Sequence, residues 1–552
     1  MPTEDNIKIS GTYDYVIVGG GSAGSILASR LTEDGVTSVC VLEAGPSDRH
    51  PYVRIPAGFI KLAYDPSYTF PFLTEPSEGT AGRRILIPQG RMVGGSSSLN
   101  GLVFSRGQRA DYDHWAERGN QGWGYLDVLP YFKRIERHIG SGDPRLRGTE
   151  GPIPVTQTDF IHPLCEAFMA GVANAGIPRN PDFNGQDQAG VGYMQRSVHR
   201  GRRHSAAHVY LKPAMSRGLI DLRTKTTVLR LLFEGSRSVG ALCLRGRNGK
   251  PHQIRARREV IVCAGTINSP KLLQISGIGP AAVLNDLGIP VRHDLPVGDN
   301  FRDHYGVRVV ARVKGVKTVN ELSRGLSLVN QTARWLIGKP SVLSLSTALV
   351  HWFWKSEEGL NAPDFQGVFT PASFKEGVMG MLDDYPGMTA GVNQHRPESA
   401  GYVRAKSRDP FEHPVVQPNY LAERADQQVV IKGLKLARQL LRSAELAAYF
   451  DHETMPGPDV TTDDEWLDYA RRFGNTNYHL VGTCRMGRAD DLTAVLDDQL
   501  RVHGVTGLRV VDASIMPTMP SANTHAATLM VAEKASDMIR GLSPQPRVEG
   551  VA

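Results

Sequence analysis

Tyr15-Val16-Ile17-Val18-Gly19-Gly20-Gly21-Ser22-Ala23-Gly24, continued by Leu27 and Leu31 at helical spacing, reads as a strand, a tight turn and a helix. The pattern G-x-G-x-x-G falls at the junction. Gly19 permits the turn, Gly21 lets backbone approach a pyrophosphate, and Gly24 lets the helix pack on the strand. A phosphate would then sit on the helix N-terminus, where free N–H groups favour negative charge. A second apolar run, Val39-Cys40-Val41-Leu42, closes on Glu43, the expected partner of a ribose diol. Together they make a β-α-β unit for a dinucleotide, which fits FAD and NAD alike.

A rival fits the same residues. Gly20-Gly21-Ser22-Ala23-Gly24 is also G-x-S-x-G, the nucleophile elbow of α/β-hydrolases, with Asp512 and His525 following in the order those enzymes use. In that fold, however, the elbow follows several strands. Here it follows the first, and Gly19 and Glu43 would have no role, so a hydrolase using Ser22 is the remote alternative.

Two later runs end as the first two do: Val260-Ile261-Val262-Cys263 stops at Ala264-Gly265, and Leu508-Arg509-Val510-Val511 at Asp512-Ala513. If their carboxyl ends converge, distant pieces build one crevice. The expected architecture is α/β, α+β overall. A discontinuous Rossmann-like cofactor domain takes 11–155, 215–310 and 470–545; a substrate domain on an antiparallel sheet takes 156–214 and 311–469.

At 552 residues, 41% hydrophobic and 22% charged, the chain is an ordinary globular protein large enough for two lobes, and it shows no internal repeat or low-complexity tract. No run approaches the roughly 18 apolar residues of a membrane span. Met1-Pro2-Thr3-Glu4-Asp5 lacks a basic flank and apolar core, so no targeting signal is read and the cytoplasm is expected. The five cysteines, Cys40, Cys165, Cys243, Cys263 and Cys484, form no C-x-x-C pair and read as reduced and mostly buried. With a net charge of +7 and no aromatics among its densest basic patches, Arg200-Gly201-Arg202-Arg203 and Arg255-Ala256-Arg257-Arg258, nucleic-acid binding is not expected. Those arginines read as solvated loops or contacts to an anionic ligand.

The segment Pro88-Gln89-Gly90-Arg91-Met92-Val93-Gly94-Gly95-Ser96-Ser97-Ser98-Leu99-Asn100-Gly101 concentrates glycines, hydroxyls and one arginine, backbone able to close on a planar ring or a phosphate. It resembles the first signature of the glucose-methanol-choline (GMC) oxidoreductase family. Gly265-Thr266-Ile267-Asn268-Ser269-Pro270-Lys271-Leu272-Leu273-Gln274-Ile275-Ser276-Gly277-Ile278-Gly279 resembles the second. Asp111-Tyr112-Asp113-His114-Trp115, Tyr478-His479-Leu480-Val481-Gly482-Thr483-Cys484-Arg485-Met486-Gly487 and the region from Val510 to Ile539 extend the likeness over nearly the whole chain. It is thinnest from about 311 to 400.

The resemblance implies an FAD-dependent dehydrogenase or oxidase of the choline and alcohol dehydrogenase-like branch. It would oxidise a primary alcohol to the aldehyde by hydride transfer to flavin N5. Gly19, Gly21, Ser22, Gly24, Glu43 and Ala44 would hold the ADP half. Arg91, Gly95, Asn100, Gly101 and Val103 would line the pyrophosphate and flavin, Val228 would meet the adenine, and Asp512, Ala513, Asn523 and Thr524 would complete the isoalloxazine site. Ala23, Ser96, Leu102, Ala264 and Tyr478 join the cofactor-binding set. Leu99 stands where some members carry a flavin-linking histidine, so the FAD is expected to be non-covalent. His479 would be the base, and His525 the second group, hydrogen-bonded to the substrate oxygen. The substrate is a small-molecule alcohol; the acceptor is oxygen or a quinone-type carrier. A relative that uses flavin without net oxidation, a lyase or decarboxylase, is the alternative.

Histidine suits the base because its ordinary pKa of about 6.5 lies near neutral pH. Asn523 can also cap a helix whose Val531, Ala535 and Met538 mark a buried face. His204 and His208, four apart on an expected helix, lack the Glu of H-E-x-x-H, and no metal is expected. Cys484 reads as packing. In His351-Trp352-Phe353-Trp354, alternation puts both tryptophans on one side, as core or as a wall for substrate.

Overall fold

In the computed structural model, which describes residues 7–375 and 380–551, the opening strand Ile9–Val18 turns at Gly19 into the helix Ser22–Leu31. Met1–Asp5, read above for a targeting signal, lie outside the described residues. Gly19 takes φ +105°, and a Cβ there would stand 2.4 Å from the Cys263 carbonyl oxygen. Only glycine turns this tightly beside a neighbouring strand.

Ile9–Val18 lies at the centre of a seven-stranded sheet, between Val39–Leu42 and His252–Val262, both parallel to it. Ile220–Arg223 extends one side. On the other, Arg237–Arg245 and Thr226–Glu234 follow antiparallel, and Leu508–Val510 pairs parallel with Val260–Val262. Carboxyl ends at Val18, Leu42, Val262 and Val510 therefore gather although up to 492 residues separate them (510 minus 18). Valine and isoleucine dominate because helices cover this sheet; Val16, Ile17, Val41 and Ile261 are fully buried.

A second seven-stranded sheet is antiparallel throughout. Its order is Phe450–Met455, Tyr305–Val313, Gly387–Gln394, Phe365–Thr370, Val350–Trp354 and Gly190–Tyr193, with Asn475–Thr476 also pairing Tyr305–Val313. The helix Arg424–Leu441 packs on one face through Val430, Ile431, Leu434 and Ala437, in a core distinct from that of the first sheet. The other face is open to a cavity. Alternation along each strand sorts residues between the two faces. Of the two readings, core or substrate wall, Trp352 takes the first: it falls on the core side, fully buried against Phe365 and Phe168, and Trp354 is partly buried against the same core. His351, its neighbour, faces the cavity.

Two readings change. His204 and His208 do not share a helix, since His208 stands in the helical turn Ala207–Leu211 and His204 precedes it. Arg203 is not a solvated loop residue: it is buried and donates to Asn100 Oδ1 at 2.8 Å and to the Ser97 carbonyl. All five cysteines are free and buried, and no described helix is long and apolar enough to cross a membrane.

Candidate active site

One cavity of about 900 Å³ runs from the gathered strand ends of the first sheet to the open face of the second. Every expected site residue lines it except Gly24, whose hydrogen faces the Gly19 carbonyl oxygen; a Cβ there would stand 2.0 Å away.

At the strand ends the wall is mostly backbone. The helix Ser22–Leu31 begins without a side-chain cap, which leaves its first N–H groups to the cavity. Gly21 and Gly95 approach closely enough that a Cβ on Gly95 would stand 2.8 Å from Gly21 Cα, while one on Gly21 would find only Gly95 Cα at 3.8 Å. Open space beside Gly21 suits a phosphate. Glu43 is buried, and the N–H groups of Gly20 and Gly45 donate to its carboxylate at 3.0 and 2.7 Å. Burial pushes its pKa up to about 7, against those two donors and Arg91. Asp512 accepts from Gly265 N–H, Ser269 Oγ and Ser514 N–H, joining two strand ends. A glycine cradle, an uncapped helix start and a buried acid at the next strand end fit the ADP portion of FAD.

At the other end the wall is side chains. His479 follows Tyr478, whose φ of +63° is left-handed, a conformation costing roughly 1 kcal/mol for a non-glycine residue. Buried Asp303 fixes this turn: it accepts the His479 N–H at 2.8 Å and the Tyr420 hydroxyl at 2.5 Å, as well as the Thr476 hydroxyl. Burial raises its pKa to about 6.

The ring of His479 is held at both nitrogens. Its Nδ1 lies 2.9 Å from Nδ1 of His304, whose Nε2 lies 2.7 Å from the His395 carbonyl oxygen. A carbonyl only accepts, so His304 carries its proton on Nε2. Burial lowers the pKa of His304 to about 4 and that of His479 well below its ordinary value, the latter helped by His304 and His351. Both rings are thus neutral near pH 7. Neutral His304 accepts at Nδ1, which makes His479 the donor there and leaves the lone pair of His479 on Nε2. That lone pair accepts from Asn523 Nδ2 at 2.8 Å. Gln366 Nε2 orients the amide by donating to Asn523 Oδ1 at 3.4 Å and reaches His351 Nε2 at 3.1 Å.

Asn523 therefore does not cap the final helix, His525–Arg540: Thr524 holds the cap position, without a side-chain bond, because the Asn523 amide is turned to His479. His525 lines the same cavity, with its pKa lowered to about 4 by burial and then by Arg203. The sequence reading missed His304, His351, Gln366 and Asp303. No spacing marks them; only alternation in Val350–Trp354 hinted that His351 and Trp352 must take opposite faces.

Comparison with known proteins agrees with this geometry. Residues 13–306 and 397–532 match the N- and C-terminal parts of the family described as GMC oxidoreductase. The chain is 40% identical over 535 residues to the oxygen-dependent choline dehydrogenase of Brucella anthropi, covering 97% of this chain and 96% of that one. It is 40% identical over 542 residues to human mitochondrial choline dehydrogenase, covering 96% and 90%. Among solved structures it resembles pyridoxine 4-oxidase from Mesorbium loti, at a TM-score of 0.86 and 31% identity, with 96% of this chain and 100% of that chain covered.

Proposed function

Because the chain belongs to the GMC oxidoreductase family, an FAD-dependent class, we propose that it oxidises a primary alcohol to the aldehyde with His479 as the base. The observation carrying this reading is the lone pair of His479 Nε2, fixed in place by the His304 partnership and turned toward the cavity by Asn523.

When bound, FAD supplies the acceptor for the hydride leaving the carbinol carbon. The protein's part is the proton. A substrate hydroxyl in the position of the Asn523 amide hydrogen would donate to Nε2, and its proton would stay there as the carbonyl forms. His304 keeps the opposite nitrogen occupied, so the ring cannot rotate or change tautomer. His525, on the same cavity, is the proposed second group toward the substrate oxygen. Gly19, Gly21, Ser22, Glu43 and Ala44 are proposed to hold the ADP half, and the loop from Arg91 to Val103, with Ala264, Asp512 and Ala513, the flavin half. The cofactor domain is proposed to take 11–155, 215–310 and 470–545 and the substrate domain 156–214 and 311–469, with Tyr305–Val313 and Asn475–Thr476 crossing those bounds to pair in the second sheet.

The reading includes non-covalent FAD, a cytoplasmic location and an acceptor that is oxygen or a quinone-type carrier. Nothing in the site favours a lyase or a hydrolase. Ser22 lies at the helix start beside Gly21, and no described hydrogen bond joins it to a histidine. The test is anaerobic addition of aliphatic, aromatic and quaternary-ammonium alcohols to the yellow protein, followed by air. Bleaching of the flavin by an alcohol is expected, and a flavin that stays oxidised with every member would reject the reading; the speed of recolouring in air identifies the acceptor.

A further inference from the structure

The start of the strand Tyr305–Val313 and the segment carrying His479 pair out of step. Tyr305 pairs with Thr476 and, further along, Arg302 with Val481, both antiparallel, so Asp303 and His304 face the four residues Asn477 to Leu480. The second side holds two residues in excess, which makes a β-bulge. A regular ladder continued from Thr476 would set His479 opposite Arg302, the place Val481 now takes. At one end of the bulge the Asn477 N–H still donates to the His304 carbonyl at 2.9 Å; at the other, Arg302 and Val481 exchange backbone bonds at 3.0 and 3.1 Å. Between them side chains replace the ladder. The Tyr478 N–H donates to Thr476 Oγ at 2.8 Å, and the His479 N–H to Asp303 Oδ1 at 2.8 Å.

The same carboxylate takes the hydroxyls of Thr476 and of Tyr420, whose ring lies 4.7 Å from that of Tyr305. Asp303, Thr476 and Tyr420 are all buried. An ionised carboxylate only accepts, so it can meet three donors from three segments at once and stand in for the missing strand bonds. Bulges of this kind re-aim a side chain. Here the side chain is the imidazole of His479, and the residue after Asp303 is His304, whose ring meets it at 2.9 Å. We propose that Asp303 is a positioning residue for the oxidation: it holds the bulge that presents His479 to the cavity and against His304. His304 and Asn523 fix the ring at its two nitrogens, and Asp303 fixes the backbone from which it hangs.

The inference rests on the alcohol-oxidation reading, and its test separates the two. FAD-loaded Asp303→Ala is reduced anaerobically by the alcohol that bleaches the wild type fastest. The rate constant should fall by about a hundredfold, as misplacement by an ångström costs, while FAD affinity holds. Asp303→Asn should keep most of the rate, because its amide oxygen still meets the His479 N–H and both hydroxyls can turn to accept from its NH2 group. Burial, His304 and His351 together hold the pKa of the His479 ring down. With the ring loosened, the acid limb of the rate in Asp303→Ala should move toward neutral pH as in His304→Gln, and the double variant should move it no further. A wild-type rate in Asp303→Ala, an equal loss in Asp303→Asn, or an acid limb left in place overturns the inference. Where Asp303→Ala does not fold, Thr476→Val and Tyr420→Phe replace it; each removes one of the three donors and should slow reduction, and wild-type rates in both overturn the inference. Should no alcohol reduce the wild-type flavin, the oxidation reading falls and nitrogen NMR of histidine-labelled protein decides the positioning alone. The His479 ring, identified by its loss in His479→Ala, should titrate closer to its ordinary pKa in Asp303→Ala than in the wild type, and an unchanged titration overturns the inference.

Discussion

The two ends of the cavity are built by different means. At the strand ends of the first sheet the wall is backbone: glycines that admit no side chain, an uncapped helix start and N–H groups aimed at Glu43. At the end that faces the second sheet the wall is side chains: Gln366, His351 and Arg308 from its strands and His479 and Asn523 from loops, supplied by segments far apart in the chain. The first end can hold a constant cofactor because backbone geometry changes little with substitution. The second can be retuned one side chain at a time, as a substrate site requires.

Substitutions at each end should fail differently. Gly21→Val has room to fold, since its Cβ meets only Gly95 Cα at 3.8 Å, but it fills the space offered to the pyrophosphate. The variant should purify folded and colourless, its FAD affinity weakened by about a hundredfold or more, ~3 kcal/mol; a variant that is yellow at wild-type affinity would show that the cradle is not where the cofactor binds. His479→Ala should do the reverse, keeping FAD while the flavin reduction rate drops by about 10²- to 10⁴-fold. Stopped-flow reduction at the wild-type rate would remove the base from the mechanism.

Subtler effects sharpen the contrast. Because burial holds the His479 pKa well below its ordinary value, the neutral, proton-accepting form predominates at and above about pH 6.5, and the reduction rate should be level there and fall only on acidification. His304 contributes to that lowering. In His304→Gln the acid limb should therefore move toward neutral pH by about one unit, and a profile superimposable on the wild type would mean that His304 does not govern the ring.

The sequence by itself determined the cofactor end. Gly19, Gly21, Gly24 and Glu43 lie within one β-α-β unit, and Pro88–Gly101 is one continuous loop, so local spacing carries the geometry. His479 and His525 were likewise found by their positions in contiguous motifs. Tertiary structure alone decided the substrate end. His304 meets His479 across 175 residues, Gln366 meets Asn523 across 157, and Arg308 shares a row with His351 only through the register of four strands. Helix-capping propensity pointed Asn523 the wrong way because it weighs only the neighbouring backbone, whereas a buried imidazole lone pair offered the amide a better partner. Hydrogen bonds and charges between distant strands depend on pairing register, and no local pattern encodes it.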